Sequence, residues 1–162
     1  MKIFYVHHAL RDKGKVSTQN DGITSLGKKD AKIVAKLFEK ASKNLNIKAI
    51  YSSPFKRCIK TANIINKKLQ LPLISEERFN EFRSVKNESW FDCQQRIINA
   101  IKDIVNKYDD NDTVICVTSG VNLTAFISLA YNIKPNNDLP FPMVMSCSPI
   151  CFKIDKNCIN KQ

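Results

Sequence analysis

Hydrophobic and polar positions alternate between two periods along this chain, and the alternation predicts its elements. Lys2 to Val6 is a short β-branched and aromatic run that reads as an opening strand, closed by His7 and His8. Thr24 is placed as the N-cap of a helix running to about Lys43, with Ile33, Val34, Leu37, Phe38 and Ala41 as its buried face. Ile47 to Tyr51 predicts a second strand. Ser53 as N-cap and Pro54 at the first helical position predict a helix from Phe55 to Lys68, burying Phe55, Ile59, Ala62 and Ile65. Leu71 to Ile74 reads as a short strand, and Glu76 to Asn87 as a polar, irregular connection.

Ser89 then opens a helix with Trp90, Cys93, Ile97, Ile101, Ile104 and Tyr108 inward. Thr113 to Val117 is near-continuously apolar, as a strand buried on both faces should be. Thr118-Ser119-Gly120 is the following turn, and Val121 to Tyr131 the next helix. Pro135 to Pro142 is a connector, and Ser148 to Ile154 a last strand. Strands alternating with helices predict an α/β fold: a three-layer α/β/α sandwich with a mostly parallel central sheet, in a single domain over residues 1–162. Loops at the carboxyl ends of its strands should then converge, bringing together His7 and His8, the turn before Arg57, and Ser119.

Composition narrows the class. A chain of 162 residues buries about two-thirds of its unfolded surface and needs no staples. Its six cysteines form no disulfide pattern, so a reducing cytoplasm is expected. Cys147, Cys151 and Cys158 invite a metal reading, but no Cys-x-x-Cys or zinc spacing supports one, and neither a metal nor an organic cofactor is expected. No secretory signal is expected either. Thr113 to Ile133 carries no charge, but its Asn, Gly, Ser and Thr content favours strand, turn and helix over a membrane span. The net charge of +11 attracts anions without choosing among them. Lys28, Lys32, Lys36 and Lys40 form one helix stripe, which without arginines or aromatics reads as a solvated face, so no nucleic-acid partner is expected.

The two histidines are the only ones in the protein, and histidine titrates near neutrality. Arg57 sits in the first turn of its helix, where a cation opposes the helix dipole, so an arriving anion is expected there.

Several motifs together resemble the histidine phosphatase superfamily, the phosphoglycerate-mutase-like proteins. The strand ending in His8 resembles the family's Arg-His-Gly element. Ile23-Thr24-x-x-Gly27 with Ala31 resembles its helix start. Tyr51-Ser52-Ser53-Pro54-x-x-Arg57-x-x-x-Thr61-Ala62 is the most specific match. Glu81 stands at the acidic position, and Val114 to Gly120 resembles the Ser-His-Gly element. The resemblance implies His8 as the nucleophile that becomes a phosphohistidine, Arg57 as a phosphate-pocket arginine, and Glu81 as proton donor to the leaving oxygen.

Two pocket positions depart from the motif: His7 stands where the family has arginine, and Ser119 where it has the second histidine. Ala9 replaces the glycine after the first histidine. Compensation is expected from a protonated His7, from the Ser119 hydroxyl, from the N–H groups of the helix after Gly120, or from Arg11 or Arg83. A protonated His7 would make activity favour acid. The expected function is hydrolysis of a small phosphomonoester; the alternative is an impaired family member that binds a phosphorylated ligand or a protein partner without turnover. Substrate identity and oligomeric state are not legible.

Overall fold

A computed structural model describes residues 1–12, 18–82 and 86–156. Arg83 and Cys158 lie outside the described residues, so the compensating role assigned to Arg83 is not addressed by it. The strands β1 (Lys2–His7), β2 (Asn46–Ser52), β3 (Leu73–Ser75), β4 (Asp112–Thr118) and β5 (Pro149–Lys153) form one sheet in the order β3-β2-β4-β1-β5. Every pairing is parallel except that of β5, which runs antiparallel to β1 at the sheet edge. The mostly parallel three-layer sandwich is therefore observed.

The helices are α1 (Ser25–Ala41), α2 (Lys56–Leu69), α3 (Trp90–Lys107) and α4 (Leu123–Ala130). Val34 and Phe38 of α1 and Cys58, Ala62 and Ile65 of α2 pack with Val6, Ile50, Ile115 and Val117 on one face of the sheet. Ile97, Ile101 and Ile104 of α3 and Phe126 of α4 pack with Ile3, Tyr5, Val114 and Cys116 on the other. Successive strand residues point to opposite faces, and β4 shows it directly: Val114 and Cys116 go to one core, Ile115 and Val117 to the other. In β2 a register irregularity between Ile47 and Ala49 lets Ile47 and Ile50 share a face.

Thr24 and Ser89 cap α1 and α3 as expected, the latter through a reciprocal capping box with Asp92. Three expectations are corrected. Ile33 and Leu37 are exposed; α1 instead turns Gly27, Ala31, Val34, Ala35 and Phe38 inward. The cause is close approach at its first turn. A Cβ on Gly27 would lie 2.8 Å from the Leu10 carbonyl oxygen, so Gly27 must face the chain there, and the helix face continuing from it carries Ala31, Val34, Ala35 and Phe38, not Ile33 and Leu37. Second, α2 begins at Lys56, not Phe55, and its N-cap position is Phe55; Ser53, two residues earlier, accepts a long hydrogen bond from the Phe55 N–H at 3.4 Å and does not cap the helix. Third, the helix expected from Val121 starts as a tight 3-10 turn, Gly120–Asn122, and becomes α4 only at Leu123. The uncharged stretch Thr113 to Ile133 thus divides into strand, turn and short helix. No helix among the described residues is long and apolar enough to cross a membrane.

Candidate active site

The carboxyl ends of β1, β2 and β4 lie side by side, and β1 keeps its register with β4 one residue beyond its end: the His8 N–H donates to the Thr118 carbonyl at 3.0 Å. Strand alternation then separates the two histidines. Phe4 and Val6 face the α1/α2 side, and the buried His8 meets Arg57 of α2. His7 turns the other way and meets Gly120, where an added Cβ would lie 3.3 Å from His7 Cε1. The rings touch edge to face with centroids 4.4 Å apart.

His8 is fixed at both nitrogens. Its Nδ1–H donates to the Ala9 carbonyl at 2.9 Å, which leaves the Nε2 lone pair free to accept from Arg57 Nε at 3.1 Å. The main chain that carries it is fixed as well. Ala9 N–H donates to Thr61 Oγ1 at 2.9 Å, and Thr61 itself donates to the Arg57 carbonyl. Burial lowers the His8 pKa to about 3, with help from the neighbouring His7, Arg57 and Arg11. His8 is therefore a neutral imidazole with an unprotonated Nε2, the form that attacks an electrophile.

Arg57 is 1% exposed. Besides His8, its guanidinium donates to the Thr18 carbonyl at 3.0 Å and to Glu81 Oε2 at 2.5 Å. Phe55 stacks beneath it, 4.6 Å from ring centroid to guanidinium carbon. Glu81 is positioned indirectly. A 3-10 turn, Glu77–Phe79, leads to it, and the Phe79 carbonyl is clamped by Thr118 Oγ1 and Asn122 Nδ2, each at 2.8 Å. Arg96 Nη1 holds the Asn80 carbonyl at 3.0 Å.

The remaining candidates divide. Ser119 follows the strand end directly and is 2% exposed; its buried Oγ has no hydrogen-bond partner among the described residues. Gly120 lies against His7. Arg11 is drawn aside: Nη1 pairs with Asp21 Oδ2 at 2.8 Å, and Asp21 is held in turn by Thr18. Its charge still reaches His8. His7 does not fit the cation expected of it. Burial lowers its pKa, Arg57 adds to the lowering, and the Val144 and Met145 backbone only partly opposes them. Its Nδ1–H is spent on the Val144 carbonyl at 3.2 Å. The expected acid-favoured activity through a protonated His7 therefore loses its basis, because a buried imidazole beside a guanidinium resists a second charge.

Thr61, Asn122 and Arg96 carry no role in the sequence reading, and Thr18 and Val144 enter it only within the segments 11–22 and 135–146 expected to line the mouth of the site. Only Thr61 left a signal there, inside the motif that contains Arg57. The others act through backbone carbonyls, which no side-chain pattern records.

The chain matches the model of the histidine phosphatase superfamily (branch 1) over residues 10–86. That interval holds Arg57 and Glu81; it begins after the two histidines and ends before Ser119, the regions where this chain departs from the motif. No curated protein is detectably similar in sequence. Among solved structures, the chain is similar to Bacillus stearothermophilus YhfR, with a TM-score of 0.77 and 22% identity over 95% of this chain and 91% of that one. It is similar to the protein histidine phosphatase SixA complexed with tungstate, with a TM-score of 0.72 and 14% identity over 98% and 91%. It is also similar to the mycobacterial glucosyl-3-phosphoglycerate phosphatase, with a TM-score of 0.72 and 15% identity over 93% and 88%. At these identities the likeness is one of fold. The family's model over residues 10–86, the motifs and the shared fold all point to the histidine phosphatase superfamily.

Proposed function

We propose that this protein hydrolyses a phosphomonoester through a phosphohistidine on His8. The observation that carries the reading is the buried Arg57, which reaches both the free Nε2 of His8 and the Glu81 carboxylate. A fixed guanidinium beside an unprotonated imidazole suits a phosphoryl group, whose oxygens accept its bidentate fork. An arriving phosphoryl dianion competes with Glu81 for Arg57, and the released carboxylate, next to added negative charge, takes up a proton. His8 Nε2 then bonds to phosphorus as the P–O bond to the leaving group breaks. Glu81 gives its proton to that leaving oxygen. Water, deprotonated by Glu81, attacks phosphorus, the N–P bond breaks, and inorganic phosphate departs with His8 restored. Ser119 Oγ and the N–H groups around Gly120 supply further donors to the transferring oxygens.

One observation favours a second reading, binding of a phosphorylated ligand or partner without turnover. Where the family pocket has Arg and a second His, this one has a neutral His7 committed to Val144 and an uncharged Ser119. Losing one transition-state donor costs about a hundredfold to a thousandfold in rate. A phosphomonoester panel at pH 5 and pH 7, with His8→Ala as control, separates the two. Turnover that His8→Ala abolishes supports the enzyme. Binding of phosphate or vanadate with no turnover by the wild type supports the second reading.

A further inference from the structure

The connection from Leu139 to Cys147 is strapped in place. Trp90 Nε1–H donates to the Leu139 carbonyl at 2.8 Å, and Thr124 Oγ1 to the Pro140 carbonyl at 3.1 Å. His7 Nδ1 holds the Val144 carbonyl. The Cys147 N–H reaches the carbonyls of both His7 and His8, at 3.0 and 3.4 Å, with Cys147 in the left-handed region at φ 56°. A non-glycine residue rarely adopts that conformation unless its surroundings impose it. The strap thus ends on the backbone of the two site histidines and forms one side of the site.

Its chemistry is unlike that of the rest of the chain. From Leu139 to Pro149 there is no charged residue, in a protein whose residues are 25% charged. Phe141 is 51% exposed, Met145 81%, and Met143 fully. The Phe141 ring packs on Trp90 at 4.6 Å and on Phe82 at 5.7 Å, and Phe82 directly follows Glu81. In an in-line transfer the leaving oxygen departs opposite His8 Nε2, beside Glu81. Whatever is bonded to that oxygen therefore lies near Phe82 and the strap. A sugar or nucleotide there would need several donors and acceptors, and among the strap's side chains Ser146 is the sole hydroxyl.

We infer that the strap and Phe82 form an apolar leaving-group wall, and that the substrate is the phosphomonoester of an apolar alcohol, aliphatic or aromatic, not a sugar phosphate. The inference rests on the phosphatase reading for its orientation, but its test does not require turnover.

The test is calorimetric titration of the full chain with methyl-, butyl- and hexylphosphonate, beside hydrolysis assays on hexyl phosphate and glucose 6-phosphate. Affinity should rise with chain length, by up to about fourfold per methylene buried. Phe141→Ser and the fully exposed Met143→Ser should each reduce the ratio of methyl to hexyl Kd. Hydrolysis should favour hexyl phosphate. Chain-length dependence without hydrolysis supports the wall and removes the turnover reading. Hydrolysis of both esters at equal rates, with phosphonate affinity independent of chain length, overturns the wall and keeps the phosphatase. A ratio unmoved in both variants also overturns the wall, and failure of every phosphonate to bind overturns both readings.

Discussion

Arg57 Nε donates to His8 Nε2 at 3.1 Å, so the guanidinium lies directly on the nitrogen proposed to attack phosphorus. The same guanidinium holds Glu81, so one buried cation joins the proposed nucleophile to the proposed acid. Arg57→Ala should weaken vanadate or phosphate binding about tenfold to a hundredfold, the worth of a charge-assisted hydrogen bond. Arg57→Lys should recover little of it, because an ammonium cannot reach His8, Thr18 and Glu81 together. Titration of both variants with vanadate checks this.

The two histidines titrate in the direction opposite to a phosphate-binding cation. His8 is lowered to about 3 and His7 is lowered, burial being the main cause of each. The unfolded chain, with ordinary histidines, binds more protons than the folded one below about pH 6.5. Stability should therefore be full above that pH and fall as pH drops from about 6.5 towards 3. Since the protein has no other histidine, imidazole proton resonances report the two sites without ambiguity. The His8 resonances should retain neutral-imidazole shifts at pH 6, and His8→Gln should blunt the acid loss of melting temperature.

Thr61 links the backbone beside His8, at Ala9, to that of Arg57. Thr61→Val keeps the volume but strands the Ala9 N–H in a buried place, at a cost of about 1–3 kcal/mol. Chemical denaturation measures that loss. Turnover should fall beyond what the unfolded fraction explains, because Ala9 O also fixes the His8 ring.

Ser119 gives the contrary pattern. Its buried hydroxyl has no partner among the described residues, so Ser119→Ala should leave stability unchanged or raise it by up to about 1 kcal/mol. Phosphate affinity should fall in the same variant if the hydroxyl serves the ligand. Paired melting and titration measurements separate the two effects.

Gly27 shows how far the fold was legible in the sequence. Its motif marks the start of α1, and the helix lies where the pattern puts it, but the inward face follows from the 2.8 Å approach to Leu10, a tertiary contact no periodicity contains. Gly27→Ala should destabilise the protein by about 1–3 kcal/mol by pushing on that backbone. The strands were legible because β4 is apolar on both faces and β1 ends in polar residues. His8, Arg57 and Glu81 were legible as types in order, and the structure brings them into one hydrogen-bonded cluster. The fate of His7 was not legible. Its separation from His8 needs the sheet's two faces, and its commitment to Val144 joins residues 137 positions apart.

The central claim is tested most directly by acid-labile phosphate on the protein. Incubation with a turned-over phosphomonoester, rapid denaturing quench at alkaline pH and peptide mapping should place phosphate on His8, and His8→Ala should carry none. Label retained in His8→Ala, or no label on wild-type protein quenched during turnover, would contradict it.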